Sequence, residues 1–164
     1  MNLDHVPATV RHYDVPDRVM HETWELLREG GREGVEAVVL WLGRVPDATR
    51  AIVLAAFAPP QIAYRSADGL AVEVPQDALT QLIGTLPPGV HVLVRVHSHA
   101  GSAYHSALDD TNMLIAHEGA VSVVVPNFAA GDPDLARCSV NVLRRDGRWR
   151  ELTGHEVAER FSVT

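Results

Sequence analysis

A single cysteine, Cys138, is all the thiol chemistry available to the 164 residues of this chain. An internal disulfide framework and a thiolate zinc site are therefore both excluded. Cys138 opens the alternating stretch Cys138-Ser139-Val140-Asn141-Val142, a setting that suits a buried structural thiol better than a nucleophile. Positive charge is also scarce. The formal net charge is -7 and no cluster of Lys and Arg stands out, which argues against a nucleic-acid partner and leaves proteins or peptides as the expected ones. No apolar run approaches the roughly 20 residues needed to cross a bilayer, and Met1-Asn2-Leu3-Asp4 is not a basic segment followed by an apolar one. The expectation is a cytoplasmic protein with no membrane partner. Repeats, low-complexity segments and long linkers are absent too. The Pro/Gly-marked stretches Pro87-Pro88-Gly89 and Gly131-Asp132-Pro133 are short and lie between apolar runs, so residues 1–164 read as one domain.

What is present is enough apolar residue, 46%, to bury about two-thirds of the unfolded surface, and nine histidines. A metal, if bound, is held by imidazole and carboxylate. Weak alternation over 8–13 predicts a first strand. Pro16 opens a helix with Val19, Met20, Trp24, Leu26 and Leu27 near one face, and Gly30 and Gly31 are expected to end it. The β-branched runs 37–42 and 51–57 read as buried strands that pair, and Tyr64 to Gly69 as an exposed loop. A second helix over 75–86 must stop at Pro87 and Pro88. A buried strand over 90–96 leads into His97, a short helix is expected over 106–116, strands over 120–125, 138–144 and 148–152, and a last helix over 154–161. The expected class is α+β, a central, largely antiparallel mixed sheet flanked by helices.

The chemistry concentrates in HSHAGSAYHSALDD, residues 97–110. In a strand, alternate side chains share a face, so His97 and His99 can present two imidazoles side by side while Ser98 points away. With a helix starting at Ser106, Ser106 and Asp109 project from the same side of its first turn, and the loop from His99 is short enough to fold Asp109 back as a third ligand. Three protein ligands leave one position for water, as in a catalytic zinc site. Each part alone has an ordinary alternative. Many histidines simply satisfy hydrogen bonds, and Ser106-x-x-Asp109 is a capping box in outline. Their convergence at the end of one buried strand favours the metal.

This arrangement resembles the JAMM motif of the JAB/MPN+ metalloproteases: His-x-His, seven residues, Ser-x-x-Asp, and a glutamate on an upstream strand. Glu36-Ala-Val-Val-Leu-Trp-Leu-Gly43 resembles the early strand of that family, and Val123 to Phe128 the strand after the motif helix. The resemblance covers nearly the whole chain and implies a JAB/MPN-like, cytidine-deaminase-like fold with one catalytic zinc on His97, His99 and Asp109. It makes Glu36 the proton shuttle and Ser106 the donor to the oxyanion. Glu33 is a rival for Glu36, and Trp41 reads as a core or site-wall residue. Six residues rather than seven separate His99 from Ser106, and Ala100 stands where a proline is common. Asp110 is thus the alternative third ligand, and His105 a spare nitrogen that could close a purely structural site. By the same resemblance the substrate is the C-terminal tail of a ubiquitin-like protein, in precursors or conjugates, in a bacterial, antiphage-type pathway, with Ala63 to Val74 as the lip that receives the tail. The alternatives are a peptidase trimming a sulfur-carrier protein and an inactive MPN scaffold.

Overall fold

The computed structural model describes residues 6–67, 69–106, 109 and 116–164. Along the chain these form β1 (His12–Val15), α1 (Asp17–Arg32), β2 (Val38–Asp47), β3 (Arg50–Phe57), β4 (Ile62–Ser66), β5 (Gly69–Glu73), α2 (Gln76–Thr85), β6 (His91–Ser98), β7 (Val121–Val125), β8 (Ser139–Leu143), β9 (Trp149–Glu151), α3 (Gly154–Arg160) and β10 (Phe161–Val163). Eight strands make one sheet in the order β10-β1-β3-β2-β6-β7-β8-β9, while β4 and β5 form a separate hairpin. The pairs β1/β10, β1/β3 and β6/β7 are parallel and the other four of the large sheet antiparallel. This is the α+β class with a mixed, mostly antiparallel sheet that the residue pattern predicts. No helix among the described residues is long and apolar enough to cross a membrane.

Period-2 alternation splits the central strands between two faces. One side chain set, Val39 and Trp41 of β2, Val94 and Val96 of β6, and Val121 and Val123 of β7, packs under the apolar stripe Val19, Met20, Trp24 and Leu27 of α1. Trp41 is fully buried there, donating its indole N–H to Thr23 Oγ1 at 2.8 Å and meeting Phe161 edge-on. It is a core residue. On the other face Val38 and Leu40 pack with Val72, Val74 and Leu79, so that α2 and β5 cover this end of the sheet. Gly43 sits where β2 slips register between its neighbours. A Cβ there would meet Ile52 O at 2.1 Å and Leu93 Cδ1 at 2.6 Å, so only glycine lets the three strands close up.

Three expectations shift. Helix α1 runs through Gly30 and Gly31 to Arg32, with Glu33 as its C-cap. Those glycines serve packing: a Cβ on Gly31 would lie 2.5 Å from Phe128 Cβ. Strands β4 and β5 pair as a hairpin where a loop is expected for 64–69, because β4 is exposed along its whole length and carries no buried alternation to read. Strand β10 follows α3 and docks beside β1 as a parallel edge. Helix α2 ends at Thr85 as the prolines require, and α3 carries a reciprocal capping box between Thr153 and Glu156. The short helix expected over 106–116 falls largely outside the described residues, as does Asp110.

Candidate metal centre

Strand β6 is buried through to its C-terminal end, and its alternate residues Arg95, His97 and, one step past the strand, His99 face the side opposite α1. All three reach Asp109. His97 Nε2 lies 2.9 Å from Asp109 Oδ1, His99 Nε2 is 3.5 Å from Oδ2, and Arg95 Nη2 is 3.9 Å from Oδ1. One nitrogen from each imidazole and one carboxylate oxygen lie within 4.8 Å of one another, and all three residues are buried. Two ligand atoms on a shared tetrahedral ion, each about 2 Å from it, stand about 3.3 Å apart, which the two His–Asp distances bracket.

The hydrogen bonds test whether these groups fit a metal. Neither ring nitrogen of His97 makes a hydrogen bond among the described residues, although the side chain is fully buried. Its 2.9 Å approach to Asp109 is close without being aligned as a donor–acceptor pair. A buried imidazole left so costs free energy unless a further atom engages it. Burial, with the Arg95 charge nearby, pushes the His97 pKa down to about 3, which keeps the ring neutral and a lone pair available. Burial works against the charge on Asp109, but His97, His99 and the Ser106 N–H outweigh it and hold the carboxyl below the usual carboxylate range. For His99, burial lowers the pKa while Asp109 and Glu36 raise it further, and the net shift is upward. The neutral His97 ring and the ionised Asp109 carboxylate are states that a cation with nitrogen and oxygen preference requires, whereas His99 would have to give up the proton its raised pKa favours. The residues present fit such an ion.

Two contacts fix the Asp109 carboxylate. Asp109 Oδ2 accepts from both the backbone N–H and the hydroxyl of Ser106, each at 2.7 Å, while the Asp109 N–H donates back to Ser106 Oγ at 3.2 Å. The Ser-x-x-Asp spacing is thus a capping box, and the box turns the carboxylate toward the histidines. A left-handed turn pins the strand end. Asn127, Phe128 and Ala129 have φ of 52°, 51° and 60°, and the N–H groups of Asn127 and Phe128 donate to Gly101 O and His99 O, both at 2.8 Å. Three non-glycine residues in that region each store roughly 1–3 kcal/mol of strain. Packing of α1 through Gly31 against Phe128 helps hold them.

Glu36 lies two residues before β2. Val38 lies opposite His97, and Ser98 locks the next step: its N–H donates to Ala37 O at 3.0 Å and its Oγ accepts from the Ala37 N–H at 3.1 Å. Continuing this register brings Glu36 opposite His99, on the face of the histidines. Burial, aided by the Asp109 charge, pushes its pKa up to about 7 against the pull of His99 and Arg95. Glu33 instead caps α1 and is exposed, which separates the two carboxylates by position. Tyr104 stands edge-on to His99, with ring centroids 4.9 Å apart, and remains exposed at the rim. The His105 ring packs on Trp149, with ring centroids 4.8 Å apart, and is not one of the residues grouped with His97, His99 and Asp109. Cys138 is half-buried, its thiol pushed up to about 12 by burial, and donates to Asp134 O. Sequence reasoning missed Arg95, whose signal was available as a lone charge inside an apolar strand, in phase with both histidines.

Fold and site together define an α+β domain with a buried two-histidine, one-carboxylate cluster suited to a metal ion and a half-buried glutamate facing it. No family model matches the chain. It is 32% identical over 139 residues, 84% of its own length and 85% of the relative's, to a probable metalloprotease, y4jG, of Sinorhizobium fredii (strain NBRC 101917 / NGR234). The chain belongs to the family of that metalloprotease. A solution structure of protein DSY2949 from Desulfitobacterium hafniense shares the fold, with a TM-score of 0.59 at 20% identity, over 93% of this chain and 92% of that one.

Proposed function

We propose that the protein is a zinc-dependent peptidase of the JAMM type that cleaves after the C-terminus of a ubiquitin-like protein. A metal-dependent peptidase fits both the metalloprotease relative and the cluster of His97, His99 and Asp109. The observation that carries the finer reading is the convergence of that cluster with Glu36, just before the neighbouring strand β2, since a three-ligand site with one adjacent free carboxylate is arranged for hydrolysis.

His97, His99 and Asp109 would hold the zinc, which supplies Lewis-acid activation of a water and polarisation of the scissile carbonyl. Glu36, its pKa raised to about 7, is matched to taking a proton from the attacking water near neutral pH and passing it to the leaving amine. The Ser106 hydroxyl donates to Asp109 in the resting site. The oxyanion role needs that hydroxyl to rotate while the Ser106 N–H retains the carboxylate. The hairpin of β4 and β5 suits the extended tail. Arg65 ties it to Gly34 O at 2.8 Å, just before Glu36, and its strands present open edges to which an extended peptide could add.

The test is a zinc-loaded sample incubated with ubiquitin-like proteins bearing a C-terminal reporter, wild type against Glu36→Ala. Cleavage after the last residue of the modifier, abolished in Glu36→Ala with zinc retained, is the expected outcome. Trimming of a sulfur-carrier tail without action on conjugates moves the substrate to that alternative. Absence of stoichiometric zinc in the wild type overturns the enzyme reading and leaves a scaffold.

A further inference from the structure

Arg95 is 5% exposed, in the middle of an apolar strand, two residues before His97 on the same face. A guanidinium in that position costs several kcal/mol of desolvation unless its charge and its hydrogen bonds are met. Part of that need is unmet. Among the described residues Nε makes no hydrogen bond, and neither does Oγ of Ser122, the residue in register on β7. The nearest carboxylate oxygen, Asp109 Oδ1, is 3.9 Å from Nη2, beyond hydrogen-bond reach. Asp109 does not need Arg95 for its placement either, because Ser106 holds its other oxygen with two donors at 2.7 Å. What remains is charge: among the described residues, Asp109 and Glu36 are the carboxylates that feel it.

From this geometry we propose that Arg95 is a positioning residue of the metal centre that places a fixed positive charge behind Asp109, drawing on the charge of that ligand so that the ion is held less tightly and stays more electrophilic. The inference rests on the reading of His97, His99 and Asp109 as metal ligands. A cation within a few ångströms of a ligand repels a divalent ion through a poorly screened medium, and loss of that repulsion is worth about tenfold or more in affinity. A purely structural arginine predicts the opposite, since its loss would loosen the ligand set.

The experiment compares wild type, Arg95→Met, Arg95→Gln and Arg95→Lys. Zinc affinity is measured by competition with a chromophoric chelator, thermal midpoints are taken after chelation, and kcat and KM are read on the reporter fusion. Both neutral variants are expected to bind zinc about tenfold tighter or more, with kcat reduced and KM unchanged. Arg95→Lys is expected to return affinity to near the wild-type value. The chelated Arg95→Met protein is expected to be at least as stable as wild type, because an apolar chain of similar length replaces a poorly met charge. Zinc affinity that is unchanged or weaker in both neutral variants, or that follows side-chain size rather than charge, overturns the proposal. A wild type that binds no zinc overturns it together with the metal reading, whereas absence of peptidase activity with tighter zinc in the variants sinks only the substrate assignment.

Discussion

Strand β6 is two regions in one. Its residues Val94 and Val96 close the apolar layer beneath α1, while Arg95 and His97, interleaved with them, are equally buried on the other side. One side buries groups that need nothing but contact. The other buries groups whose polar atoms are left wanting, and the difference identifies where the molecule accepts a cost in stability for chemistry.

His97→Ala breaks the comparison on its polar side. Zinc retention and all metal-dependent turnover should be lost, with the circular dichroism of the chelated protein unchanged, since the imidazole makes no hydrogen bond among the described residues. Elemental analysis and a turnover assay check this. Trp41→Ala breaks the apolar side instead. Removing a fully buried indole bonded to Thr23 should cost about 3–5 kcal/mol in urea denaturation. Zinc stoichiometry should survive in the folded fraction. Gly31→Ala probes the joint between the two sides: its methyl would collide with Phe128 in the left-handed turn that pins His99. A loss of about 1–3 kcal/mol is expected, together with weaker zinc binding.

The smallest effect is one of pH. Glu36 has its pKa raised from 4.5 to about 7 in the folded chain, chiefly by burial. The unfolded chain therefore releases this proton first as pH rises from 4.5 to 7, and stability falls across that window and stays lower above it. In chelated protein, the thermal midpoint of Glu36→Gln relative to wild type should rise between pH 5 and pH 8. A gap that is constant or shrinks would show that Glu36 does not face the buried site.

Much of this contrast is legible in the residue pattern, for particular reasons. His97 and His99 share a face because strand geometry leaves alternate residues no other choice, and α2 stops at Thr85 because Pro87 and Pro88 cannot extend it. The hairpin of β4 and β5 was hidden because β4 is exposed throughout and has no buried period. The glycines of α1 read as a helix end because a local rule cannot see Phe128 arriving from about a hundred residues away. Position relative to Gly43 favours Glu36 over Glu33 in sequence; the register that Ser98 imposes on Ala37 gives the preference a spatial reason.

Sequence alone determined what is local and periodic: which residues lie on one face, where helices must stop, and that any metal would be held by nitrogen and oxygen. Tertiary structure decided which of those groups meet. The return of Asp109 to β6, the facing of Glu36, and the buried charge of Arg95 all depend on contacts between segments far apart in the chain, and no short-range rule carries their distances.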